Sequence, residues 1–144
     1  MRTYSPRARD IQKQWHVIDA EGKILGEVAV QAAALLRGKH KAMFMPSIDT
    51  GDYVIVVNAA KVAVTGKKRT EKIYYRHSGY PGGLKAPTFE TVMAQDPRRI
   101  IEHAVWGMLP KNSIGRTMYR KLRVYAGADH PHQGQLIQKE GSEL

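Results

Sequence analysis

The chain contains no cysteine. That excludes disulfides and any thiolate metal site. No apolar run approaches the roughly 18 residues of a membrane-spanning helix. The first residues, Met1-Arg2-Thr3-Tyr4-Ser5-Pro6-Arg7, lack the apolar stretch of a secretory signal. These absences predict a soluble protein of a reducing compartment, with no membrane partner. No internal repeat and no low-complexity segment is present. A P-loop is also missing. Its pattern needs a glycine five residues before Gly-Lys, then Ser or Thr. Gly66-Lys67 has Lys61 and Lys68 at those places, and Gly38-Lys39 has Ala33 and His40. Gly79, Gly82 and Gly83 miss the dinucleotide spacing as well. Acids are scarce: 13 Asp+Glu stand against 23 Lys+Arg, for a net charge of +10. Such self-repulsion costs stability in the free chain and points to a polyanionic partner.

What is present fits one domain. The chain has 144 residues, 42% of them hydrophobic, enough for a single globular core. Residues 1–13 are basic and apolar-poor, with Arg2, Arg7, Arg9 and Lys13, and read as an arm. A frayed terminus and a nucleic-acid-binding arm are both open. Residues 14–128 form the domain, and residues 129–144 a polar, peripheral tail.

The most informative stretch is 65–85. Lys67, Lys68, Arg69, Lys72, Arg76 and Lys85 face one acid, Glu71. Tyr74, Tyr75, His77 and Tyr80 are interleaved with them, and Gly79, Gly82 and Gly83 break the second half. Cations neutralise phosphates, planar rings stack on bases, and glycines admit close backbone approach.

The remaining chain reads as scaffold. Trp15–Asp19 predicts a strand. Leu25, Val28, Ala29, Ala32, Leu35 and Leu36 recur with helical spacing, predicting a helix over 24–37 stopped by Gly38. Tyr53–Val57 is apolar without alternation, as in a strand covered on both faces and parallel to the first. Asn58–Lys61 suits one helical turn. Ile73–Arg76 predicts another strand, and 78–87 a loop. Thr88 caps a short helix carrying Phe89, Val92 and Met93. Asp96-Pro97 opens a longer helix whose buried face is Ile100, Ile101, Ala104, Val105, Met108 and Leu109. Ser113 caps a third helix, with Arg116 and Arg120 on one face. A last strand runs from Leu122 to Gly127.

Catalytic chemistry is not evident. Asp49 and Asp52 flank a glycine turn, where turn formation and links to lysines outweigh acid–base work. His130 and His132 are better read as loop residues contacting RNA or water than as metal ligands. His103 lies off the apolar face of its helix and reads as solvated. Lys39 and Lys41 follow a helix C-terminus, where dipole interaction competes with phosphate contact.

Eight segments resemble one family. They are Trp15–Ala20, Leu35–Lys41, Asp49–Tyr53, Asn58-Ala59, Thr65–Lys68, His77–Gly83, Gly107–Lys111 and Val124–Gly127. Together, over residues 15–132, they resemble the bacterial large-subunit ribosomal protein thirteen family. The resemblance implies a three-layer α/β/α domain around a small, mostly parallel sheet. It implies a non-catalytic structural constituent of the cytoplasmic large ribosomal subunit. Such a protein binds large-subunit ribosomal RNA early in assembly, beside neighbouring large-subunit proteins, and takes no cofactor, metal or small-molecule substrate. Glu27 departs from the basic residue the family carries there, so no RNA contact is assigned to it. The candidate RNA-contacting set is Lys39, His40, Lys41, Lys67, Lys68, Arg69, Lys72, Tyr74, Tyr75, Arg76, His77, Gly79, Tyr80, Gly82, Gly83, Lys85, Lys111, Arg116, Arg120 and Arg123. Two rivals have different signatures. A small hydrolase or transferase using Asp49, Asp52 or His77 needs a pocket lined by perturbed carboxylates. A regulator bound to messenger RNA or to a protein off the ribosome shares the basic surface.

Overall fold

A computed structural model describes residues 3–136 of the chain. Arg2 of the expected arm and residues 137–144 of the expected tail lie outside the described residues.

Strand β1 (Trp15–Asp19), helix α1 (Leu25–Arg37) and strand β2 (Tyr53–Val57) form the opening unit. β1 and β2 pair in parallel, Trp15 beside Tyr53 and Asp19 beside Val57. Helix α1 buries Leu25, Val28, Ala29, Ala32, Ala33 and Leu36, the stripe its spacing predicts. Gly38 ends it at φ 81°, its N–H donating to the Ala34 carbonyl. Val54, Ile55 and Val56 are fully buried, so the unalternating run is the interior strand. Its second neighbour is strand β5 (Leu122–Val124), also parallel, giving the order β1-β2-β5. This is the α/β class with a small parallel sheet.

Strand β5 stops at Val124 and not at Gly127. The three residues beyond it turn to cap the end of β2: Asn58, Ala59 and Ala60 donate to the carbonyls of Gly127, Tyr125 and Ala126 at 2.8, 3.1 and 3.3 Å. Ala59–Lys61 makes the expected single turn, as a 3-10 helix.

Between β2 and β5 the chain forms helix α2 (Lys68–Glu71), the hairpin β3 (Arg76–His77) with β4 (Leu84–Lys85), and helices α3 (Phe89–Gln95), α4 (Arg98–Met108) and α5 (Ser113–Tyr119). Of the strand expected over 73–76 only Ile73 and Arg76 pair, and the loop expected over 78–87 holds except at the two-residue strand β4. The hairpin's register continues outward to an Ile73–Thr88 bridge. The ladder fails between because Tyr74 meets Pro87, whose carbonyl accepts from Tyr74 at 2.9 Å but which has no N–H to return.

The helix ends also refine the reading. Thr88 caps α3 as expected, accepting from the Thr91 N–H. At α4 Pro97 takes the cap position, and the Asp96 carboxylate accepts from the Arg98 N–H and guanidinium, at 3.3 and 3.1 Å through Oδ1. Asn112, not Ser113, caps α5, because its Oδ1 reaches the Gly115 N–H at 2.8 Å. Met108, expected in the buried face of α4, is 43% exposed as the last residue of the helix.

Helices α1 and α4 pack side by side, and Leu36, Val28, Ile100, Ile101, Val105 and Met118 join Val54 and Val56 in one core cluster. Each fully buried aliphatic side chain contributes about 1.5–3 kcal/mol. By strand alternation the other sheet face carries Trp15, Val17, Ile55 and Arg123. There Trp15 stacks on Tyr53 with ring centroids 4.4 Å apart. His132, expected to contact RNA or water, instead stacks on Trp15 and shares a 2.6 Å hydrogen bond with the Tyr125 hydroxyl. Residues 3–13 are mostly exposed, with points of attachment to the domain. Pro6 is buried, and Lys13 Nζ lies 3.7 Å from Asp49 Oδ2.

Candidate nucleic-acid interface

The structure divides the candidate residues into separate groups. Tyr74, Tyr75, Arg76 and Lys85 from the hairpin meet Arg116 and Arg120 from the end of α5 across a cleft of about 830 Å³. The floor between them comes from α4, whose Arg99, Glu102, His103 and Trp106 all face the cleft. Tyr119 of α5 joins them. Five cations and five rings thus surround one carboxylate.

The rings are held in place by one another. His103 meets Tyr74 edge-on at 5.3 Å, so it is a wall of the cleft and not merely solvated. Trp106 meets Tyr119 edge-on at 5.2 Å. Lys72 Nζ lies 5.3 Å from the Tyr74 ring centre, and Lys111 Nζ 4.7 Å from that of Trp106. Lys111 also donates to the Trp106 carbonyl, so its charge is anchored at the C-terminal end of α4. Burial raises the Tyr74 and Tyr119 hydroxyls above the usual tyrosine range, keeping both neutral and able to donate. The Tyr74 hydroxyl oxygen is buried and finds no hydrogen-bond partner among the described residues. Burial also raises the Glu102 carboxyl, against the pull of Arg98 and Arg99.

A second group is the hairpin tip. His77 Nδ1 accepts from the Gly79 N–H at 2.9 Å, and the Gly83 N–H donates to Tyr80 O at 2.9 Å. Tyr80 is 76% exposed and Tyr75 is 68% exposed, large rings with little protein against them. Gly82 has φ +72°. Gly83 does not. It is confined instead because a Cβ there would collide with the Ser78 side chain and sit 2.9 Å from the Tyr80 carbonyl. Lys67, Lys68, Arg69 and Lys72 form a third group at α2. The first three are exposed, and no acid among the described residues pairs with them.

The remaining candidates fall elsewhere. Arg123 projects from β5 on the face opposite the core. Lys39 is exposed after α1, but Lys41 turns inward. Its ammonium donates to the carbonyls of Gln12 and Thr50, each at 2.8 Å, and lies 2.7 Å from Asp52 Oδ1. The His40 ring likewise faces Asp52, with Nε2 3.0 Å from Oδ2. Lys41 thus does not join the exposed cations, whereas His40 remains exposed beside Lys39. Asp49 and Asp52 are bound to lysines and turn N–H groups, as the sequence suggests, and they lie outside the cleft. The Asp49 Oδ1 accepts from the Gly51 N–H and from Lys121.

Arg99, Glu102, His103, Trp106 and Tyr119 were not among the sequence candidates. A signal for them exists. Positions 99, 102, 103 and 106 follow helical spacing on the face opposite Ile100, Ile101 and Val105, and 116, 119 and 120 repeat it on α5.

A sequence model described as Ribosomal protein L13 matches residues 13–131. The chain is 62% identical over 135 residues to "Large ribosomal subunit protein uL13" of Nocardioides sp., covering 94% of this chain and 92% of that one. It is 56% identical over 139 residues to the protein of the same name from Alcanivorax borkumensis, covering 96% and 98%. A third, from Cyanothece sp., is 60% identical over 134 residues, covering 93% and 90%.

Proposed function

The chain belongs to the ribosomal protein L13 family, whose members are structural and not enzymes, and from that premise we propose that it binds large-subunit ribosomal RNA as a constituent of the large ribosomal subunit. The observation that carries the RNA-binding part is the cleft. Arg76, Lys85, Arg99, Arg116 and Arg120 surround Tyr74, Tyr75, His103, Trp106 and Tyr119 with one acid among them. Guanidinium groups fix phosphates in a bidentate way, and aromatic faces accept an unstacked base. A cleft of about 830 Å³ is large enough for a nucleotide turned out of an irregular RNA segment. The exposed Lys67, Lys68 and Arg69 extend the phosphate-binding surface, and Tyr80 offers a further ring at the hairpin tip.

In this reading residues 14–128 carry the binding, with 1–13 and 129–144 as flanks. Shape and backbone contacts dominate over base sequence, because paired RNA hides its major groove. Binding early in subunit assembly, beside neighbouring large-subunit proteins in the bacterial cytoplasm, is part of this proposal, supported by family membership. The test pairs two measurements. The protein should co-sediment with large subunits through a high-salt wash. Arg116→Ala with Arg120→Ala should weaken binding to large-subunit RNA fragments while leaving the circular dichroism spectrum intact. Equal binding by this double variant removes the cleft from the interface. Loss from the subunits on washing removes the ribosomal assignment.

A further inference from the structure

Asp52 stands immediately before β2 and is 1% exposed. Its two oxygens have different surroundings. Oδ1 takes the Lys41 ammonium at 2.7 Å and the Gln14 N–H at 3.1 Å. Oδ2 is approached by two imidazoles, His16 Nε2 at 2.8 Å and His40 Nε2 at 3.0 Å. His16 belongs to β1, and His40 follows α1. The two rings meet edge-on with centroids 6.0 Å apart. The three ligand-capable atoms lie within 4.8 Å of one another. In a tetrahedral zinc site with bonds of about 2.0–2.1 Å, ligand atoms stand about 3.3 Å apart. The two nitrogen–oxygen separations need to open by a few tenths of an ångström, and the two ring nitrogens, within 4.8 Å of each other, need to settle to that same spacing.

We infer that His16, His40 and Asp52 form a binding site for one divalent cation of the zinc class. Two imidazoles and one carboxylate are a borderline donor set. Calcium and magnesium call for more oxygen ligands than this cluster holds. The carboxylate is already oriented, its Oδ1 held by the Lys41 ammonium and the Gln14 N–H. Lys41 is retained on Oδ1 by the carbonyls of Gln12 and Thr50, which leaves Oδ2 for the cation. His16 is partly exposed and His40 more so, which gives the ion an entry path and a water for its fourth position. The cation cross-links β1, the segment after α1 and the start of β2. In a chain without cysteine this is a staple that a reducing compartment does not open. Sequence spacing conceals the site, because its ligands stand 12 and 36 residues from Asp52. Without a metal, the same two ring nitrogens hydrogen-bond with one carboxylate oxygen.

The test uses the full chain stripped with a chelator. Zinc titration by calorimetry should show one equivalent bound and a raised thermal midpoint. Cobalt(II) should give the strong visible absorption of a four-coordinate site. His16→Gln and His40→Gln keep an N–H donor for Asp52, and each should weaken zinc binding at least about tenfold. His130→Gln should leave binding unchanged. If a variant does not fold, proton NMR of the wild-type protein decides: zinc should shift the His16 and His40 ring signals before those of the other histidines. No binding near one equivalent overturns the inference. So does unchanged affinity in both glutamine variants, or first shifts at His130 and His132.

Discussion

The Asn58 side-chain amide donates to Asp19 Oδ1 at 2.8 Å, tying the residue after β2 to the last residue of β1. Asn58 holds φ 58°, the left-handed region, where among the described non-glycine residues it stands alone. The Asp19 carboxyl is lowered below its ordinary 3.8, first by this hydrogen bond and then by the Glu21 N–H, with a small opposing effect of burial. A depressed carboxyl contributes stability above its unfolded pKa and loses it as pH falls through the folded one. Asn58→Gly keeps the backbone and removes the bond. The Asp19 midpoint in a carbon-13 NMR titration should therefore lie below 3.8 in the wild type and rise toward it in this variant. Asn58→Ala should be less stable than Asn58→Gly by about 1 kcal/mol, since alanine tolerates that φ poorly. Equal stabilities would show that the turn relaxes.

Lys121 and Asp49 form a buried ion pair at 2.6 Å, 72 residues apart in the chain. Lys121 is 4% exposed, and burial lowers its pKa against the attraction of Asp49. Removing one partner of such a pair strands the other charge. Lys121→Met should cost about 3 kcal/mol in urea unfolding, less if Lys13 closes on Asp49 from 3.7 Å. Adding Asp49→Asn to that variant should recover part of the loss. A double variant no better than the single one would mean that the lysine acts through packing and not charge.

The hairpin shows where sequence reasoning stopped. Its aromatic and basic residues were legible as a surface, but its strands were not. Two residues per strand leave no periodicity to read, and Pro87 interrupts the longer ladder. The core behaved differently. The α1 stripe and the Val54–Val57 run carried their structure in their spacing, because burial on a repeating element imposes a period. The cleft needed tertiary information. Arg99 and Trp106 have the right spacing on α4, but only packing reveals that α4 faces the hairpin and α5. Lys41 shows what composition leaves out: it belongs to a basic run, yet Asp52, placed beside it by the fold, takes its ammonium at 2.7 Å.

The glycine loop follows from the same hairpin. Gly83→Ala should disturb the tip, because its Cβ would meet Ser78 and the Tyr80 carbonyl within the chain itself. The Ser78 N–H donates to Gly83 O at 3.2 Å, so hydrogen exchange at Ser78 should accelerate. The hairpin stands outside the core cluster, and the global unfolding midpoint should therefore hardly move. A large drop in midpoint would show that the tip is coupled to the core.

Lys67, Lys68 and Arg69 test the phosphate surface most directly. They sit at and just inside the N-terminus of α2, exposed and unpaired with any acid among the described residues, so no core contact depends on them. Each phosphate neutralised releases counterions and steepens the fall of log affinity with log salt, by roughly 0.9 in duplex DNA and 0.7 in single strands. Replacing all three with alanine should flatten the slope for a large-subunit RNA fragment by about two to three units. Affinity at low salt should fall, and the circular dichroism spectrum should hold. Tyr75→Ala makes the contrast. A stacked ring contributes about 1–3 kcal/mol per base with no charge, so this variant should weaken binding at every salt concentration and leave the slope unchanged. Titrations of both variants in a potassium chloride series separate the two contributions. An unchanged slope in the triple variant would make α2 a solvated face and confine the charged interface to the cleft. A flattened slope for Tyr75→Ala would mean that the ring positions a cation and does not stack.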